Sequence, residues 1–160
     1  MASLQHLTHD NHRSAPAIRV LVAEGFEAFR RFFRSTLGKL PNLQIVAEVS
    51  DGLEAVRMAA ELQPDLILLD IGLPTLDGIE AARHIRTHCP AARIIFVTQE
   101  SDAYFVQEAF AIGAMAYVTK INARRDLLPA VNVVLEGGQF VSSGLRYQEL
   151  PTQALIVRSD

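Results

Sequence analysis

The sequence predicts an α/β fold: a doubly wound, five-stranded parallel sheet with helices on both faces. Two observations carry this. Short apolar runs rich in β-branched residues alternate five times with amphipathic stretches between Ile18 and Glu136. The runs are also apolar on both faces, as strands covered on both sides must be. Crossovers between such strands are right-handed.

Ile18 to Ala23 is the first strand. Phe26 to Leu37 follows as a helix, with Phe29, Phe33 and Leu37 at helical spacing and Gly38 and Pro41 closing it. Gln44 to Val49 is the second strand. Asp51 opens a helix with Glu54 three residues on, in the manner of a capping box. Its predicted inner face is Leu53, Val56 and Ala60, and Pro64 ends it. Leu66 to Leu69 is a short apolar strand that delivers Asp70 at its carboxyl end. Asp77 and Glu80 repeat the start signal for a helix through His88, stopped by Pro90. Arg93 to Thr98 is the fourth strand. Ser101 or Asp102 caps a helix to about Ile112, closed by Gly113. Met115 to Thr119 is the fifth strand. Arg124 to Glu136 is the fifth helix, with Leu127, Leu128, Val131, Val134 and Leu135 inward and Gly137-Gly138 as its stop.

The 160 residues fit one domain. Residues 1–17 read as a flexible polar tail, 18–144 as the domain and 145–160 as a second tail. A single cysteine, Cys89, excludes an internal disulfide framework. A formal charge of -3 gives no broad basic field, which argues against nucleic acid as the default partner. No apolar run is long enough to span a membrane, and no signal peptide begins the chain. The expected setting is cytoplasmic.

In open α/β sheets the site lies beyond the carboxyl ends of the strands. Those ends supply Glu24 and Gly25, Asp70, Thr98 and Lys120. A carboxylate can accept a phosphoryl group. Mg²⁺ takes hard oxygen ligands, often one or two carboxylates. A lysine pairs with phosphate as a point charge, and a hydroxyl can donate to a phosphate oxygen.

The run from Pro64 to Pro74 (PDLILLDIGLP), with Asp77-Gly78, resembles the receiver domain of bacterial two-component response regulators. Ile95 to Thr98 and Gly113 to Lys120 add independent matches, and the resemblance covers Ile18 to Gly144. It implies the flavodoxin-like strand order 2-1-3-4-5, carried over from that fold family. Gly137 to Ser142 is similar to the end of receivers that continue into a LuxR-type helix-turn-helix domain. The resemblance implies Asp70 as phosphoacceptor and Glu24, Asp70 and the Gly72 carbonyl as Mg²⁺ ligands. It implies Thr98 as switch hydroxyl, Tyr117 as the aromatic that follows it, and Lys120 as the phosphate-binding lysine. Pro74 and Gly78 match the turn after the acceptor. Arg124 and Arg125 are expected at the partner surface formed by the fourth helix, fifth strand and fifth helix.

One position departs. Where the family carries its second acidic residue, the principal metal ligand, this sequence has Gly25. Mg²⁺ binding is therefore expected to be weak. Glu27 is a poorer substitute than Glu24.

Other chemistry-bearing residues have plainer readings. His84 and His88 stand at i, i+4 without an evident third ligand. His6, His9 and His12 lie in the polar lead-in, where histidines hold metal only loosely. Cys89 reads as a small apolar residue. An enzyme on this sheet is disfavoured: there is no phosphate loop, nucleophile elbow or strand-end His paired with Ser or Cys. Only 22 residues follow Gly138, too few for a helix-turn-helix domain of three helices of about 11 residues each.

Two readings follow. In the first, the chain is a stand-alone receiver that takes phosphoryl at Asp70 from a histidine kinase or phosphotransfer protein and signals to a downstream protein partner. Direct DNA binding and membrane contact are not expected, and a homodimer is left open. In the second, Gly25 makes it a phosphorylation-independent pseudo-receiver, an interaction module.

Overall fold

In the computed structural model the described residues are 16–145 and 156–158. The chain alternates β1 (Ile18–Ala23), α1 (Glu27–Leu37), β2 (Leu43–Val49), α2 (Gly52–Leu62), β3 (Leu66–Leu69), α3 (Gly78–His88), β4 (Arg93–Thr98) and α4 (Ala103–Ala111). β5 (Ala116–Thr119), a single 3-10 turn (Lys120–Asn122), α5 (Ala123–Leu135), β6 (Gln139–Val141) and β7 (Ile156–Arg158) complete it. The first five strands lie in the order β2-β1-β3-β4-β5, and all pairings are parallel.

The predicted sheet of five strands is too small. β6 joins beside β5, with Phe140 opposite Ala116 and Val141 opposite Tyr117, and β7 pairs with β6. Gly137, at φ +88°, turns the chain off α5 into this edge. β7 falls within the segment read as the C-terminal tail; the N-terminal histidines lie outside the described residues.

Alternation along the strands builds two cores. Leu21, Ile67, Leu69, Ile94, Phe96 and Tyr117 face α2, α3 and α4. Val20, Val22, Leu66, Leu68, Ile95, Val97 and Val118 face α1 and α5. Asp51, Asp77 and Asp102 each accept a backbone N–H of the first turn of their helices, at 2.8, 3.0 and 2.9 Å. α1 has no such side-chain cap.

Three packing expectations need correction. α2 turns Gly52, Ala55 and Ala59 inward, while Leu53 is 55% exposed and Ala60 faces solvent. The cause is close approach: a Cβ at Gly52 would sit 1.8 Å from the Leu76 carbonyl oxygen. On α5, Leu128 and Leu135 are only half-buried, and the helix instead buries Asp126. On α1, Phe33 and Leu37 are buried but Phe29 is not fully so. Its ring has another neighbour at the rim of the sheet. Cys89 is buried, which pushes its thiol pKa up and fits its reading as a packing residue.

Candidate functional site

β1, β3 and β5, with β4 between the last two, end on one rim of the sheet and bring Glu24, Asp70 and Lys120 together. The Lys120 ammonium donates to Glu24 Oε1 and to Asp70 Oδ2, both at 2.9 Å. Glu24 is fully buried, and Asp70 and Lys120 are nearly so. Glu24 Oε1 also accepts the Phe26 backbone N–H at 3.1 Å, and its carbonyl accepts Arg30 Nη1 at 2.7 Å. Its other oxygen, Oε2, is buried with no partner among the described residues. Burial raises the Glu24 pKa above its ordinary value, and the hydrogen bonds from Lys120 and Phe26 offset only part of that.

Asp70 is fixed from behind by its own loop. Oδ1 accepts the Gly72 N–H at 3.3 Å. The first residue of α3, Gly78, lies against the Asp70 backbone so closely that a Cβ there would be 1.9 Å from the carbonyl oxygen. Pro74 shapes the same loop: its carbonyl accepts the N–H groups of Gly52 and Leu76 at 3.2 and 2.8 Å.

Thr98 and Tyr117 do not bond to Asp70. Both engage the backbone of Glu100: its N–H donates to Thr98 Oγ1 at 3.3 Å, and its carbonyl accepts the Tyr117 hydroxyl at 2.8 Å. The Tyr117 ring is buried against Phe96 at 6.3 Å, and burial pushes its phenol pKa up. Arg124 lines a groove of about 280 Å³ with Ala28, Phe29, Phe32, Lys120 and Ala123. That groove lies between α1 and the start of α5. Arg125 bonds Asp126 and Ser143.

Sequence reasoning missed two contributors. The Lys120 ammonium lies 4.3 Å from the Phe29 ring centroid and 5.1 Å from that of Phe26. Asp126 accepts the Ser142 hydroxyl at 2.7 Å, and that hydroxyl in turn accepts the Thr119 N–H at 3.1 Å, one residue before Lys120. Aromatic residues beside the acidic strand end were the available signal for the first. The second had none, because periodicity places an aspartate in water.

The donor set does not fit the divalent cation that receivers hold beside their phosphoacceptor. Two carboxylates remain, and each already accepts the same ammonium. Among the described residues no group of three His, Cys, Asp or Glu side chains could hold a metal ion, His84 and His88 included. Gly25 supplies only backbone.

A parallel sheet in the order 2-1-3-4-5, with an aspartate and a lysine facing each other at the ends of β3 and β5, defines a class of doubly wound switch domain. Residues 20–132 match the family model of the response regulator receiver domain, and the chain belongs to that family, the receivers of two-component signalling. It is similar to the transcriptional regulatory protein LiaR of Bacillus subtilis (strain 168), 33% identical over 120 residues, 75% of this chain and 57% of that protein. It is 27% identical to the transcriptional regulatory protein DegU of Brevibacillus brevis over 89% of this chain and 61% of that one. The chain thus spans about three-fifths of the length of these relatives. Among solved structures, a LuxR-family two-component response regulator from Aurantimonas sp. SI85-9A1 aligns at 36% identity, with a TM-score of 0.71 over 76% of this chain and 86% of that one. The response regulator domain of Thermotoga maritima CheB aligns at 33% identity, with a TM-score of 0.68 over 76% and 95%. No helix among the described residues is long and apolar enough to cross a membrane.

Proposed function

We propose that this receiver works as a protein-interaction module whose rim is held in one arrangement without metal-dependent phosphorylation. The carrying observation is Lys120 bridging Glu24 and Asp70 at 2.9 Å each, in a rim where Gly25 replaces an acid. With two carboxylates and one ammonium, the rim carries a single net negative charge, so a dication has little to neutralise. Buried and hydrogen-bonded on both sides, the ammonium ties β1, β3 and β5 together. Protein partners would then read the surface around the rim as a fixed shape, with Thr98 and Tyr117 in their Glu100-bound positions.

The test is incubation with acetyl phosphate and Mg²⁺ followed by intact mass. The wild type takes up no phosphoryl group, and Gly25→Asp gains it. Phosphoryl uptake by the wild type, abolished by Asp70→Asn, overturns the reading.

That outcome would establish the second reading, a receiver phosphorylated on Asp70 by a histidine kinase or phosphotransfer protein. The observation in its favour is that Asp70, Lys120 and Thr98 lie at adjacent strand ends despite the change at residue 25.

A further inference from the structure

Lys120 is held on two sides. Glu24 and Asp70 accept its hydrogen bonds on one side, and on the other its ammonium meets the faces of Phe29 at 4.3 Å and Phe26 at 5.1 Å. Both rings are within the roughly 6 Å over which a cation is drawn to an aromatic quadrupole. Desolvation strengthens that attraction, and the Lys120 side chain is only 2% exposed.

Phe26 is otherwise hard to account for. It precedes α1, makes no side-chain cap, and is 59% exposed. Its backbone is nonetheless fully engaged. The N–H donates to Glu24 Oε1, and the carbonyl accepts the N–H groups of Phe29 and Arg30 at 3.1 and 3.0 Å. One residue therefore orients the buried glutamate through its amide and the lysine through its ring. Gly25, just before it, adds no side chain to contest the ammonium. Phe29, in the first turn of α1, closes the same side, and it lines with Lys120 the groove that runs toward Arg124.

We propose that Phe26 and Phe29 are positioning residues for Lys120, holding its ammonium as the resident cation of Glu24 and Asp70. The aromatic pair and the lysine together take over the charge balance that a divalent ion provides in receivers with an acid at residue 25. The resident-cation role rests on the metal-independent reading above; the positioning role stands on the ring contacts alone.

The experiment is nuclear magnetic resonance of the full chain with labelled lysine. In the wild type, the Lys120 ε-methylene protons are shifted upfield by the ring faces, and the ammonium protons exchange slowly with water. Phe29→Leu keeps an apolar side chain but removes the ring face. It should abolish most of the upfield shift and speed ammonium exchange about thirtyfold, the loss one desolvated cation–π contact implies. Phe29→Tyr should retain both signatures. Phe26→Leu gives the same direction of change at an exposed position where folding is not at stake. Wild-type shift and exchange in both leucine variants would overturn the positioning role. Adding MgCl₂ should leave the wild-type Lys120 signals in place and move them in Gly25→Asp. A wild-type signal that moves with Mg²⁺ overturns the resident-cation role. Phosphoryl uptake seen by mass with the Lys120 signals unmoved by Mg²⁺ would count against the function proposed above instead.

Discussion

Thr98 and Tyr117 share one backbone anchor: the Thr98 hydroxyl accepts the Glu100 N–H, and the Tyr117 hydroxyl donates to the Glu100 carbonyl. The loop from β4 to α4 is thus pinned by one side chain from β4 and one from β5. Tyr117→Phe removes one pin and leaves a carbonyl short of a partner. It should cost about 1 kcal/mol in chemical denaturation, the worth of one net hydrogen bond. Amide exchange should rise locally at residues 100–102 with little change in α2 or α3.

Glycines around the rim should respond oppositely to the same substitution. A methyl at Gly78 would stand 1.9 Å from the Asp70 carbonyl oxygen, which is backbone and cannot swing away. Gly78→Ala should therefore destabilise by about 3 kcal/mol, at the upper end of overpacking costs. At Gly25 the nearest atom to a Cβ is the Ser50 carbonyl oxygen at 3.8 Å, an ordinary contact. Gly25→Ala should lie within about 0.5 kcal/mol of wild type. Paired denaturation curves check both, and the Gly25 result matters because Gly25→Asp is the key functional variant.

The strands and most helix boundaries were legible because buried parallel strands are unbroken apolar runs and aspartates announce helix starts. Leu66–Leu69 and the Asp77 cap needed nothing beyond the local sequence. β6 was missed because three residues carry no period. The inner face of α2 was misread because apolar size was taken as the guide, whereas the helix buries Gly52, Ala55 and Ala59 and the Leu76 backbone leaves no room for a side chain at Gly52. At the site, Asp70 and Lys120 were legible through resemblance. The ring contacts of Phe26 and Phe29 were not, since Lys120 lies some ninety residues further along the chain and only the fold joins them. Asp126 escaped for the same reason: its partner Ser142 follows directly after β6.

Glu24 should give the protein a measurable pH dependence. Burial raises its pKa from an ordinary value of 4.5, so the folded chain holds that proton more tightly than the unfolded one. The associated stability is fully present below the unfolded value and is lost as pH rises through the folded one. Glu24→Gln keeps an oxygen to accept from Lys120 but cannot titrate. Across this window, stability relative to the variant should fall with rising pH. Urea denaturation of both proteins in steps from pH 4 to neutrality, roughly the range above the ordinary carboxyl pKa, checks the slope. A difference that is flat, or of opposite sign, would show that Glu24 is not the titrating group.

The sharpest energetic test separates the lysine from the charges it balances. Lys120→Met fills similar space but leaves Glu24 and Asp70 buried and facing one another, without the ammonium that each accepts at 2.9 Å. Removing one side of a buried ion pair typically costs about 3 to 5 kcal/mol, because the remaining charge is uncompensated. Glu24→Gln alone removes only one of two carboxylates and should cost less. In the double variant a single carboxylate remains, Asp70, which keeps its Gly72 N–H and a little exposure. The double variant should therefore be more stable than the sum of the two single losses predicts, with a coupling of about 1 to 3 kcal/mol. Strict additivity in a double-mutant cycle would mean that Lys120 and Glu24 do not balance one another, and the rim would then need another source of positive charge.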